Sequence, residues 1–479
     1  MMKQDKYDMI VVGTGFASTF FLSRYLSKAP SSVKVLVLER GHLYPHSERL
    51  KERRRESTPY QKLNELSHDT FINENPEKHW EFQAAFGGGS NCWYGCTPRF
   101  MPSDFKMKSL YGIASDWPLQ YEELEPYYDQ VEHSMSISGP DDTPYPRKGS
   151  YPQPPHAFNT VDKILKSTYG NLYVSQPTAR AKVPVNGRGS CCVSAECSVC
   201  PVNAKFTIEN SGMGVFEDER VELVYGAKVF AMELQQNAVR KLSYIRDGKE
   251  RSATADIFAL GANAIFNAHI LLNSGDASPL TGKGLGEQYG LGARVYLKNM
   301  SNVGGGTWVS GNGYMLYDGD HRKNFAACLM ESNNAPFLRL EKGKWRDVAN
   351  FRMIFEDLPD ERNYVATTSD LMMPKVHFEG PSAYTLRAVE NMKKKLPEIL
   401  ASLPVENIEY SKPYATEAHI MGTARMSQKA SDGVVDKHLI HHKYRNLFVL
   451  GSSAFTTFSP ANPTLTLSAL SLYAADNSF

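Results

Sequence analysis

Four of the seven cysteines, Cys191, Cys192, Cys197 and Cys200, fall within ten residues. Deprotonated thiols at Cys191 or Cys192, Cys197 and Cys200 are able to ligate an iron–sulfur cluster or zinc. Pro201, directly after the last cysteine, is typical of such ligand runs. Adjacent Cys191 and Cys192 do not easily bind one ion together, and buried or transiently paired thiols are the alternative reading. A second chemical feature is the turn Gly13-x-Gly15-x-x-Ser18 after the apolar run DMIVV. Gly13 allows a tight turn, Gly15 lets backbone approach a pyrophosphate, and the following helix points free N–H groups at that anion. Ser18 replaces the usual third glycine but is still small. Glu39 ends the next apolar run, where an acid binds a ribose hydroxyl pair. A third feature is FGGGSNCWYGCTPR, residues 86–99. Three consecutive glycines followed by Trp93 and Tyr94 predict a packed loop against a flat ligand.

The elements that must hold these residues follow from hydrophobic period. DMIVVGT predicts a buried parallel strand, the apolar spacing of Phe20, Phe21, Leu22, Tyr25 and Leu26 a helix, and VKVLVLERG a second strand. Together they make a βαβ unit and a dinucleotide site. An amphipathic helix is expected from Tyr121, after Pro118, and IFALGANAIFNAHILLNSG reads as strand, turn and helix. Between Ser301 and Glu417 the segments TWVSGNGYMLYDG, NFAACLM, APFLRLEKG, DVANFRMIFEDLP and NYVATTS alternate and are split by Gly, Asn, Asp and Pro, which predicts an antiparallel sheet. A helical run over 381–403 is interrupted by Pro397. The polar stretch of about 42–80 reads as a loop or lid, with Arg53, Arg54 and Arg55 a solvated face. His438, His441 and His442 read as loop residues, with no carboxylate or thiol close enough in sequence for a metal pair.

Composition bounds the partners. The 479 residues suffice for two or three domains, and 53 Lys+Arg against 52 Asp+Glu leave a net charge of +1. That balance removes the attraction most nucleic-acid binders need. No stretch is long and apolar enough for a transmembrane segment. The opening MMKQDKYDMIVVG has no apolar run before a cleavage site, so a cytoplasmic location is expected. An odd cysteine count argues against a disulfide framework.

In order along the chain, GTGFAS, LERG, GGGSNCWYG, DWPLQYEELEPYY, LGANAIFNAHILLNSG, DLPDERNYV, HIMGTARM and GSSAFTTFSPANPTLT resemble the glucose–methanol–choline (GMC) oxidoreductases. The HxMG block and the ANPTLT ending look most like the pyranose oxidase and bacterial sugar dehydrogenase branch. The resemblance implies an α/β fold, with a Rossmann-like FAD-binding domain over residues 1–300, a substrate domain of antiparallel sheet and helices over 301–417, and a C-terminal return to the FAD domain over 418–479. It implies an FAD enzyme oxidising a CH–OH group of a sugar or sugar-like alcohol, with His419 as general base and Asn462 fixing the alcohol oxygen. A non-sugar alcohol as substrate, or an electron-relaying flavin subunit, is the alternative. The flavin contacts it implies are Gly88, Ser90, Asn91 and Cys92 in the glycine loop, Val229 beside the adenine, and Gly451, Ser452, Pro463 and Thr464 near the ring. Cys92 stands where some pyranose oxidases carry a flavin-linked histidine. It reads as a small buried residue beside the ring, with an S-linked flavin as the alternative. Some sugar dehydrogenases of this branch hold a three-iron cluster in the cysteine region, with their last two cysteines separated by three residues instead of two. An electron-acceptor protein or small subunit is the partner this implies.

Overall fold

The first two apolar runs form β1 (Lys6–Val12) and β2 (Val35–Leu38). In the computed structural model, which describes residues 6–55, 69–415 and 418–479, they lie inside a seven-stranded sheet. β3 (Ile72–Asn73) and β4 (Tyr173–Ser175) follow in the chain but belong to other sheets. β5 (Val221–Val224) pairs with β2, and β8 (Lys249–Leu260) pairs with β1 on its other side. β16 (Leu447–Val449) then joins the outer side of β8. These five strands are parallel, and buried on both faces the central ones can be continuously apolar. β6 (Lys228–Gln235) and β7 (Ala238–Arg246) extend the sheet as an antiparallel meander from the start of β8. Helix α1 (Phe16–Lys28) buries Phe20, Phe21, Leu22, Tyr25 and Leu26 as its spacing predicts. The last helix, Thr464–Asp476, shares the same core, and the Tyr128 hydroxyl meets Thr466 Oγ1 at 2.9 Å.

A second, six-stranded antiparallel sheet has the order β15-β9-β12-β11-β10-β4. Its strands are β9 (Tyr289–Leu297), β10 (Val309–Leu316), β11 (Cys328–Asn333), β12 (Val348–Phe355) and β15 (Val405–Tyr410), with β4. One face packs Leu291, Val295, Phe351 and Met353 against Tyr384, Ala388, Met392 and Leu396 of the helix Ala383–Ile399. Pro397 lies inside the last turn of that helix rather than breaking it. The Lys393 carbonyl, which a residue with an N–H at 397 would engage, accepts the Tyr410 hydroxyl at 3.1 Å instead.

Several expectations are corrected. Strands from outside the 301–417 stretch also enter this sheet: β9 pairs with β12, and β4 joins β10 from far upstream. NYVATTS supplies β13 (Tyr364–Ala366) to a separate three-stranded sheet with β14 (Lys375–His377) and β3. APFLRLEKG forms no strand: Leu338 and Leu340 point to solvent, and the Arg339 N–H turns back to the Trp345 carbonyl at 3.2 Å. The expected loop at 42–80 includes the helix α2 (His46–Arg55). Its Arg49 is buried against Glu209 at 2.6 Å and Arg53 pairs with Glu196, whereas Arg54 is exposed. Residues 56–68 of that stretch lie outside the described residues. Among the described residues, no helix is long and apolar enough to cross a membrane.

A buried ion cluster ties the second sheet to the 102–105 turn and the C-terminal loop. Arg322 contacts Asp104 at 2.9 Å and Glu356 at 2.5 Å, with all three side chains almost fully enclosed. Tyr317 and Ser459 hydroxyls donate to the second oxygen of Asp104 at 2.7 and 2.9 Å. Removing the cation would strand two carboxylates in a dry site. Arg322→Met is expected to cost about 3–5 kcal/mol, read as a lowered thermal unfolding midpoint; an unchanged midpoint would refute the assignment.

Candidate active site

The C-terminal ends of β1, β2 and β8 open into one cavity of about 660 Å³, within the range of cofactor pockets. Gly13 begins the turn after β1 with φ +88°, and a Cβ there would lie 2.6 Å from the Gly261 carbonyl oxygen. Gly15 differs: its φ is −77°, and a Cβ would meet nothing within 4 Å, because the cavity lies in front of it. Ser18 does not line the cavity. It packs under the β8 turn, where a Cβ on Gly261 would sit 2.1 Å from its Oγ. The third small residue therefore serves helix–strand packing.

Glu39 lines the cavity at the end of β2 and is buried. Burial raises its carboxyl pKa, opposed by donors from the Gly41 N–H (2.8 Å), the Thr14 hydroxyl (2.7 Å) and the Thr14 N–H (3.1 Å). Thr14 Oγ1 also accepts the Gly87 N–H at 2.9 Å, so one side chain ties the first glycine turn, the acid and the GGG loop together. Thr14 was not singled out from the sequence; its position between the two turn glycines was the available signal.

In that loop, Gly88 and Cys92 line the cavity, whereas Ser90 and Asn91 shape the loop from behind. Ser90 Oγ accepts the Ile208 N–H at 3.1 Å, and the Asn91 amide donates to the Phe86 carbonyl at 2.8 Å. Lys205 clamps the loop through the Asn91 and Trp93 carbonyls at 3.1 and 2.8 Å, and burial lowers its pKa to about 8. Burial pushes the Cys92 thiol up to about 11, so it holds its proton.

The chain returns to the cavity through its last sixty residues. Val229, Gly451, Ser452, Pro463 and Thr464 line it, as do His419 and Asn462. The His419 segment is laid onto the 451–454 turn by the Gly422 N–H to the Ser452 carbonyl (3.0 Å) and the Ala424 N–H to the Ser453 carbonyl (2.9 Å). The His419 N–H donates to Glu287 at 3.0 Å, and the other oxygen of Glu287 pairs with buried Lys78. The imidazole Nδ1 lies 2.6 Å from Gln288 Oε1. Burial, then the nearby Arg352 and Lys78 cations, lowers the His419 pKa to about 3. Asn462 is buried, and its Oδ1 has no hydrogen-bond partner among the described residues.

The roof is the polar face of the second sheet. Glu331 and Arg352 stand directly opposite each other on β11 and β12 and both line the cavity, with Trp308 at the start of β10. Gln176 donates to Glu331 at 2.9 Å, and Arg352 donates to the Tyr414 hydroxyl at 3.1 Å. Trp308 and Tyr94 rings lie 5.9 Å apart at the rim. Sequence reasoning missed Glu287, Gln288, Glu331 and Arg352; strand alternation was the signal for the last two, and it does not say which face meets the cavity, while Glu287 and Gln288 stand just ahead of β9.

Cys191, Cys197 and Cys200 lie away from the cavity lining and are not gathered on one point. Cys191 Sγ is 3.5 Å from Thr307 Oγ1, Cys200 Sγ accepts the Ala204 N–H at 3.2 Å, and burial pushes the Cys197 thiol up to about 11. Among the described residues, no three His, Cys, Asp or Glu side chains form a group able to hold a metal ion. The expected ligand set is therefore not assembled in this structure.

The profile of the GMC oxidoreductase family matches residues 359–471. The chain is 25% identical to the fructose dehydrogenase large subunit of Gluconobacter japonicus, over 98% of this chain and 97% of that one. It is 26% identical to 2-methyl-1,2-propanediol dehydrogenase of Mycolicibacterium austroafricanum, over 81% and 80%. Among solved structures, the fold is shared with pyridoxine 4-oxidase from Mesorbium loti, at a TM-score of 0.67 and 16% identity over 98% and 99% of the two chains. It is also shared with an FAD-dependent oxidoreductase from Chaetomium thermophilum, at 0.68 and 13% over 98% of each. Over residues 359–471 the chain carries the profile of the GMC oxidoreductases, and along the rest of its length it is similar to dehydrogenases such as the two named above. It is an oxidase or dehydrogenase acting on CH–OH donors, and the family implies FAD. The cavity fits that cofactor: a glycine with open space before it stands where pyrophosphate needs backbone, a buried acid stands at the ribose position, and an unpartnered amide oxygen lies at the other end.

Two outcomes follow from this geometry. Gly15→Val keeps an allowed backbone but puts its side chain into the cavity. It is expected to leave the circular dichroism spectrum unchanged and weaken FAD binding by about 100-fold or more; full FAD retention would refute the cradle. The second concerns acid stability. Burial lowers His156 and His269 to about 4, as it lowers His419 to about 3, all from an ordinary 6.5. Below pH 6.5 the unfolded chain binds protons at these sites that the folded chain refuses, so stability falls as pH drops from 6.5 toward 4. Urea midpoints measured across that window should decline steadily, and a flat profile would contradict the three burials.

Proposed function

We propose that the chain oxidises a CH–OH group of a sugar or sugar-like polyol, with His419 as general base and Asn462 as the group that fixes the alcohol oxygen. The observation that carries this reading is a neutral imidazole and an unpartnered buried amide oxygen on one cavity, beneath a roof bearing Glu331, Arg352 and Trp308. FAD, when bound, supplies the hydride acceptor. Gly13, Gly15 and Gly88 would hold its pyrophosphate, Glu39 its ribose, Val229 its adenine side, and Gly451, Ser452, Pro463 and Thr464 the ring end.

The remaining work falls to protein side chains. The imidazole nitrogen not engaged by Gln288 takes the hydroxyl proton of the substrate. Asn462 Oδ1 accepts a hydrogen bond from a hydroxyl, and its amide N–H₂ donates to the alcohol oxygen, which sets the C–H direction. Glu331 and Arg352 offer acceptor and donor groups side by side, matching vicinal hydroxyls, and Trp308 offers a flat apolar face for the C–H side of a ring. The similarity to the large subunit of a fructose dehydrogenase supports a sugar as substrate and, as partner, a small subunit or an electron-acceptor protein. An iron–sulfur cluster has no part in this reading.

His419→Ala should retain the yellow colour of bound flavin and lose turnover by about 10²–10⁴-fold, the range for a positioned general base. Substrates are sought by mixing sugars, diols and simple alcohols with the oxidised enzyme without oxygen and following bleaching of the flavin bands. Bleaching by polyols, weakened selectively in Arg352→Met, fits the proposal. Bleaching only by monohydric alcohols, or full turnover in His419→Ala, would overturn it.

A further inference from the structure

Gln288 stands just before β9, and its side chain reaches two parts of the chain more than 130 residues away. One end of its amide faces two backbone carbonyls, those of Ser459 and, at 2.8 Å, Ala461. The other end faces His419 Nδ1 at 2.6 Å. Both neighbours at the first end are acceptors without protons, so only the N–H₂ group satisfies them. The oxygen is thereby forced toward the ring. An amide oxygen has no proton to give, so Nδ1 must carry one, and the lone pair of a neutral imidazole falls on Nε2.

The same amide does a second thing. Ala461 directly precedes Asn462, and the Ala461 N–H is held by Ser459 Oγ at 3.1 Å, which itself donates to Asp104 in the buried ion cluster. The two carbonyls that orient Gln288 thus belong to the loop that presents Asn462. One side chain sets both the tautomer of the base and its register with the residue opposite.

We propose that Gln288 is a positioning residue that locks His419 in the Nδ1–H tautomer and couples it to the Asn462 loop. This rests on the reading of His419 as the base, but the tautomer is a property of the protein that can be observed without turnover. The charged groups described near the ring act on different properties. Arg352 and Lys78 disfavour the imidazolium, while Glu287 bonds the His419 backbone and pairs with Lys78. None of them selects between the two neutral forms.

The test uses the full-length, FAD-loaded enzyme with ¹⁵N-labelled histidine, and the His419 signals are assigned by their loss in His419→Ala. Wild-type protein should show a protonated Nδ1 and an unprotonated Nε2 at pH 7. In Gln288→Met, similar in size but without the hydrogen bonds, both tautomers should appear, and kcat should fall by about 100-fold, as for a misplaced catalytic group, with KM within threefold. Gln288→Glu restores the acceptor at the ring, its other oxygen carrying a proton to face the two carbonyls. It should recover the Nδ1–H form and come within about tenfold of wild-type kcat, since acceptor geometry is kept. A protonated Nε2 in the wild type would overturn the proposal, as would an unchanged tautomer and kcat in Gln288→Met. If that variant does not fold, the wild-type tautomer and the glutamate variant decide the matter. Loss of activity in His419→Ala with the wrong wild-type tautomer would leave the general base standing and remove only the role of Gln288.

Discussion

His419 lies within reach of two cations, Arg352 and Lys78, in a wall of the protein that excludes most water. Both effects penalise a second positive charge, so the imidazole is held neutral far below its ordinary range. The constraint is demanding for a ring proposed as a base, because a nearby cation helps only if it leaves the lone pair available. The structure meets it by giving each cation its own partner. Lys78 is neutralised by Glu287 in a fully enclosed pair, and Arg352 leans on Tyr414. Glu287 uses its other oxygen to hold the His419 backbone, so charge balance and placement are the work of one carboxylate.

Burial of charge recurs between the second sheet and the segments that carry Asp104 and Ser459. Arg322 bridges Asp104 and Glu356, and Asp104 carries the hydroxyls of Tyr317 and Ser459. Such clusters are weak as sources of stability but strict about geometry. Here the strictness lies under the loop that presents Asn462, so the rigidity of that loop is inherited from the interface rather than from its own Pro460 and Pro463 alone.

Local features of the site were legible in the sequence because their physics is local. Gly13 and Gly15 precede a helix within a few residues, Glu39 ends a strand, and the ordered motifs through HIMGTARM and SPANPTLT mark His419 and Asn462. The structure brings all five to one cavity. Ser18 carries its smallness toward Gly261 rather than toward the ligand, a contact between residues 243 positions apart. Gln288, Glu331 and Arg352 were illegible for the same reason: each acts across a sheet or between distant segments, and alternation in a strand does not announce which face meets a cavity. The helix His46–Arg55 was missed because its mostly polar sequence lacks an apolar stripe, and Arg49, an arginine, is what anchors it. APFLRLEKG had the alternation of a strand but no neighbour to pair with.

The placement of β16 beside β8 has a consequence for biosynthesis. Phe258 waits for Leu447, and Leu260 for Val449, so nearly two hundred residues must leave the ribosome before that edge of the first sheet is covered. The N-terminal βαβ unit can form early, yet most of the residues that line the cavity are still untranslated at that stage. Flavin capture is therefore an event of the finished chain, and a truncated product would expose an uncovered parallel strand edge, the kind of surface on which nascent proteins aggregate.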